Sequence, residues 1–180
     1  MASHIGSHSW NTGLELHLLF DLDRRHLQVL AVRLTFDMRQ KAESDSDRVL
    51  GALTPPLDTD NPPEMLTRMA VGYLKVLTSP DGIALYRAMV AEAPHFPELA
   101  ANFFENGPGR ATQHLADFLR LQKQRGKLAV GDATRDAAQF LGAVRGDLHL
   151  IAVLNARPPS KRQVDTAAKA AVETYCAGRA

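Results

Sequence analysis

An all-α fold is what this chain predicts, and three observations carry the prediction. Beyond residue 60, apolar residues recur again and again at intervals of three and four. These runs tend to open on a capping residue and close on glycine or proline. Strand signals are scarce, because β-branched and aromatic residues seldom alternate with polar ones; the best stretch, Val32 to Phe36, is short. With 180 residues, of which 45% are apolar, the chain can bury one real core, so one domain with at most a small appendage is expected.

The elements follow in order. Met1 to Trp10 is a polar mixture of serine, histidine and glycine, typical of a loose leader. Leu14 to Gln40 holds many leucines without one sustained period, and a helix is expected over Arg24 to Lys41. Ser44 to Asp60, rich in aspartate and proline, reads as a linker. From Pro62 to Leu77, Met65, Met69, Tyr73 and Leu77 advance by four with Leu66, Ala70 and Leu74 beside them, which makes one wide apolar helix face. Ser79, Pro80 and Asp81 supply a cap, a first-position proline and a first-turn acid for a helix carrying Ile83, Tyr86, Met89 and Val90, stopped near Pro94. A short helix is expected over Pro97 to Glu105, ended by Gly107 and Pro108. Ala111, His114, Leu115, Phe118 and Leu121 mark the next, with cations near its end and Gly126 just past it. Asp132 caps a run through Ala137, Phe140, Leu141, Val144, Leu148 and Ile151 that stops at Arg157, Pro158 and Pro159. Uninterrupted, that helix has about 24 residues and roughly 36 Å of length. Ser160 caps the last helix, whose face of Val164, Ala167, Ala168, Ala171, Val172 and Tyr175 is mostly alanine.

Composition excludes several classes. The formal net charge is +1 with 23% charged residues, which is neither a disordered polyelectrolyte nor a pervasively basic surface. The lone cysteine, Cys176, cannot form an internal disulfide, so a reducing, cytoplasmic setting is expected. Neither a signal peptide nor an apolar run of about 18 residues is present, and no membrane partner is expected.

Catalytic chemistry has no sequence support. Gly-x-Ser-x-Gly, a phosphate-binding glycine loop, His-Glu-x-x-His and paired cysteines are all missing, so no catalytic residue, no metal and no cofactor is expected. The seven histidines offer no aligned ligand set, and Asp147 and His149 lie on different helix faces. What stands out is adaptable: Met65, Met69, Tyr73, Tyr86, Met89, Phe103, Phe104, His114 and Phe118 can be an ordinary core or the lining of a ligand pocket. Likewise the long helix and its alanine-faced successor can pack within one chain or pair with a second copy into a four-helix bundle. Leu148, Ile151 and Leu154, which carry the apolar stripe to the helix end, favour self-association.

The stretch Thr78-Ser-Pro-Asp-Gly-Ile-Ala-Leu-Tyr-Arg-Ala-Met-Val-Ala-Glu-Ala-Pro-His-Phe-Pro-Glu-Leu-Ala100, the following Phe103-Phe-Glu-Asn-Gly-Pro108, and Gln139-Phe-Leu-Gly-Ala-Val-Arg-Gly-Asp147 resemble the C-terminal regulatory domain of the TetR (tetracycline repressor) family of bacterial transcriptional regulators. The turn Glu92-Ala-Pro-His-Phe-Pro-Glu-Leu99 is similar to that of one branch of the family. The resemblance spans residues 48–180 and implies an all-α helical bundle of the TetR regulatory-domain type, dimerising through its last two long helices. It places the homodimer interface on Phe140, Val144, Leu148 and Ile151 of one helix and Val164, Ala168, Ala171, Val172 and Tyr175 of the other. It turns the adaptable set into a pocket for a small apolar or aromatic effector, lined by Met69, Tyr73, Tyr86, Met89, Phe103, His114 and Phe118, with Tyr73, Tyr86 and His114 as polar handles.

Residues 1–47 stand where the family carries a DNA-binding head, yet the helix-turn-helix signature is missing. Five basic residues face seven acidic ones there, a net −2, where a duplex reader concentrates positive charge. Three accounts stay open: a truncated or frame-altered regulator, a divergent head, and an orphan regulatory domain. The expected function is a TetR-like regulator, a repressor in the first instance, with operator DNA as partner if the head is functional. The alternative is a ligand-binding or dimerisation domain that binds no DNA.

Overall fold

The computed structural model describes residues 61–178, all of which fall within the second of the chain's two compact units, Lys41–Ala180. The expectations for Val32 to Phe36, Arg24 to Lys41, Ser44 to Asp60 and the head region lie outside the described residues.

Helix α1 is Pro62–Leu77. Asn61 caps it by accepting the Glu64 amide, and the prolines that follow occupy positions where an N–H has no intrahelical partner. Helix α2 is Pro80–Glu92, capped by Ser79 Oγ, which accepts the Gly82 amide at 3.0 Å. Helix α3, Pro97–Phe104, does not break at Gly107 and Pro108 as the sequence suggests. It runs through a π turn, Glu105–Gly109, straight into α4, Arg110–Gln124. A wider turn lets the chain pass a proline that has no amide to donate, and Thr112 Oγ1 donates back to the Pro108 carbonyl at 2.9 Å. Gly126, with φ +67°, takes the left-handed position just past α4.

Helix α5, Ala133–Asn155, starts on Asp132, whose carboxylate accepts the Thr134 and Arg135 amides, both at 3.0 Å. These backbone bonds, that to Arg135 foremost, hold the carboxyl below its ordinary pKa. The helix is not one straight rod. Gly146 takes φ 42°, ψ −152°, a conformation open to glycine, and kinks it in mid-course. Helix α6, Lys161–Ala177, begins with a capping box in which Ser160 and Gln163 each hold the other's backbone amide. No strand occurs among the described residues.

The continuous core draws Leu66, Met69, Tyr73 and Leu74 from α1, Leu115, Phe118 and Leu119 from α4, Phe140 and Val144 from α5, and Val164, Ala168 and Val172 from α6. Burying a side chain such as Phe118 contributes about 1.5–3 kcal/mol over leaving it exposed. Phe140 and Tyr175 meet edge to face with ring centroids 5.3 Å apart, which joins α5 to α6. Arg120 of α4 reaches Thr134 at 2.9 Å and Lys123 reaches the Gly131 carbonyl at 3.1 Å, so the start of α5 is tied to the end of α4. By length and composition α5 could span a membrane. Its apolar stripe is instead taken up by the core through Ala137, Phe140, Leu141 and Val144.

Candidate functional site

Beyond the Gly146 kink, the second half of α5 packs against α2 rather than the continuous core. Ile83 and Met89 of α2 and Ala152 of α5 are buried, yet none of them belongs to that core. Arg87 donates from Nη1 to the Val153 carbonyl at 2.8 Å and fastens α2 to the end of α5. Tyr86 meets His149 edge to face, with centroids 4.8 Å apart and ring planes at 83°.

His149 is the unusual member of this group. It is only 7% exposed, and its Nε2 has no hydrogen-bond partner. Burial pushes the imidazole below its ordinary pKa, and the guanidinium of Arg145, four residues earlier across the Gly146 kink, pushes the same way. His149 is therefore neutral near pH 7, with one ring nitrogen a donor and the other an acceptor. Arg145 also acts on Tyr73 of α1, whose hydroxyl is raised by burial and partly drawn back by that cation. Because Tyr73 belongs to the core and His149 to the α2–α5 packing, Arg145 stands at the seam between two packed regions. Among the described residues no three His, Cys, Asp or Glu side chains gather as a metal site, and no nucleophile is paired with a base.

The sequence-derived pocket residues fall into three places. Met69, Tyr73 and Phe118 are buried together in the continuous core. Tyr86, half-buried, and Met89, buried, lie on α2 beside the second half of α5. Phe103 is half-buried on α3, and His114 is exposed on α4, one turn before the buried Phe118. Sequence reading passed over Arg145 and His149. The signal for His149 is its spacing of three from Ala152 on the helix half beyond Gly146; nothing in the local pattern singles out Arg145, which lies on the other side of the kink.

The residues expected at a dimer interface are mostly inside the protomer. Phe140, Val144, Val164, Ala168, Ala171, Val172 and Tyr175 are buried in the chain's own core, and Leu148 is half-buried against it. The buried alanines of α6 permit its close approach to α1 and α5. Ile151, 53% exposed, presents apolar surface, and Leu150 and Leu154 flank it at 55% and 69%.

Residues 64–178 match the family described as AefR-like transcriptional repressor, C-terminal domain. The chain belongs to the TetR family. Two solved structures share its fold. One is a TetR-family transcriptional regulator from Mesorhizobium loti MAFF303099, with a TM-score of 0.73 and 22% identity over 78% of this chain and 70% of the other. The second is the flavonoid-responsive regulator FrrA, with a TM-score of 0.63 and 26% identity over 77% of this chain and 72% of the other. No curated protein matches the chain. TetR-family proteins are transcriptional regulators, typically soluble dimers that bind DNA and small-molecule effectors. The match covers the regulatory part of such a protein, which is where the seam around Arg145 lies.

Proposed function

We propose that this TetR-family chain is a homodimeric repressor whose regulatory domain, residues 48–180, senses a small apolar or aromatic effector between α1, α2 and α5. The observation that carries this reading is the divided interior. The core holds Tyr73 and the adaptable Met69 on one side, a separate α2–α5 packing holds Tyr86, His149 and the adaptable Met89 on the other, and the charge of Arg145 acts on both Tyr73 and His149. The likeness to a flavonoid-responsive regulator supports an aromatic effector. Effector binding that wedges α2 from α5 favours one arrangement of the regulatory helices, and operator affinity changes through that preference.

The dimer surface of this reading is the exposed side of α5 and α6. Leu150, Ile151 and Leu154 present apolar surface there, and Ala143 and Ala170 allow close approach. Residues 1–47 stand in the place of the DNA-binding head. Their acidic balance favours a second reading, in which the chain dimerises and binds effector without engaging DNA.

Thermal denaturation across a panel of aromatic compounds tests the sensing reading. A bound compound raises the midpoint of the wild-type chain, and Tyr86→Ala removes the shift. A panel with no shift in the wild type contradicts the reading. An electrophoretic shift on DNA from upstream of the gene separates the repressor from the second reading.

A further inference from the structure

Resting on the effector-sensing reading, we infer that the α2–α5 seam selects an aromatic effector by a phenolic hydroxyl, held by His149 and Arg145 together. His149 is buried with Nε2 unpartnered, and protein interiors rarely leave a side-chain nitrogen in that state without a use for it. Tyr86 meets the ring at 83° with centroids 4.8 Å apart, an aromatic contact that supplies Nε2 with no conventional hydrogen bond. Arg145 precedes His149 by four residues, across the Gly146 kink, its charge is felt at the imidazole, and no carboxylate pairs with it among the described residues.

A neutral imidazole and an unpaired guanidinium make a particular demand on a ligand. A phenol meets both at once: its O–H donates to the imidazole nitrogen, and its oxygen accepts from the guanidinium, which favours negative character developing there. Its ring extends the contacts of Tyr86, with Met69 and Met89 adjusting to its outline. A purely apolar compound meets neither demand and leaves both polar groups desolvated beside it. A carboxylate meets the guanidinium but places a full charge in an interior whose acceptor imidazole is kept neutral by burial.

The test is isothermal titration of the intact chain at pH 7 with 2-naphthol, 2-methoxynaphthalene and 2-naphthoate, repeated on His149→Phe and His149→Gln. The wild type is expected to bind 2-naphthol about tenfold or more tighter than its methyl ether, the discrimination usual for a buried site built to hold a hydroxyl. His149→Phe keeps the ether's affinity and loses the preference. His149→Gln, with an amide oxygen as acceptor, keeps part of it and serves as the check that the fold is intact. Equal binding of phenol and ether by the wild type overturns the inference, as does a preference that survives in His149→Phe or tighter binding of 2-naphthoate than of 2-naphthol. Binding of the ether without preference leaves effector sensing standing and removes only the hydroxyl recognition. Binding of none of the three removes both.

Discussion

His149 is held in a state that costs stability. An imidazole nitrogen buried without a partner loses its hydration and gains nothing in return, a deficit of about 1–3 kcal/mol for such groups. Replacing it with phenylalanine, which fills the same space with apolar surface, is expected to raise unfolding free energy by about 1 kcal/mol in urea titrations. The same change alters the pH response. Burial and Arg145 depress the folded-state pKa of His149 below its ordinary value near 6.5. The unfolded chain therefore takes up the proton first, so the stability tied to this group is fully present above about pH 6.5 and is lost as pH falls through the lower folded value. Wild type should weaken more than His149→Phe does as pH falls below about 6.5; parallel acid limbs would show that His149 is not the group responsible. Sequence reading missed this residue because a histidine's chemistry depends on what surrounds it. On the pattern alone His149 was one of seven, while exposed His114 sat within an apolar stripe and drew the attention.

The helices themselves were largely legible, and for local reasons. Ser79, Asp132 and Ser160 each accept amides at the helix start where the sequence puts a cap, Asn61 does the same for α1, and proline at the first turn reinforces α1 and α2. These bonds lie within three residues, so they can be read from a short window of sequence. Ser160→Ala breaks the capping box and should cost about 1 kcal/mol, measured by thermal unfolding; an unchanged midpoint would mean α6 is fixed by packing alone. What resisted reading was the behaviour of glycine and proline inside longer helical runs. Pro108 is absorbed by a π turn that joins α3 to α4 instead of ending a helix, and Gly146 kinks α5 instead of passing as a neutral helical residue. Both outcomes depend on how the flanking segments pack, which a window of sequence does not contain. Because φ 42° at Gly146 disfavours any side chain, Gly146→Ala should lower stability by about 1–2 kcal/mol and shift α5 beyond the kink relative to α2. A variant of wild-type stability would mean that the kink carries no constraint.

At the scale of the regulatory unit, the kink divides α5 into two working halves. Its first half completes the core with α1, α4 and α6; its second half carries His149 toward α2 and turns Leu150, Ile151 and Leu154 outward. One helix thus links the proposed effector seam to the proposed dimer surface. The sequence expects self-association through the last two helices, and most of the residues it names for the contact are buried within the protomer, since an apolar stripe does not say which neighbour covers it. Ile151→Lys with Leu154→Lys places charge on the exposed patch and should convert a dimer to monomer in sedimentation velocity without unfolding it; a wild-type monomer at micromolar concentration would remove the interface. The central claim, that a ligand enters between α1, α2 and α5, has a direct readout in the methionine methyl groups. Titrating an aromatic effector into the chain labelled with ¹³C at methionine methyls should shift Met69 of α1 and Met89 of α2 together and saturably. Resonances that stay in place at saturating compound, or that move only at Met38 outside the regulatory domain, would contradict the account.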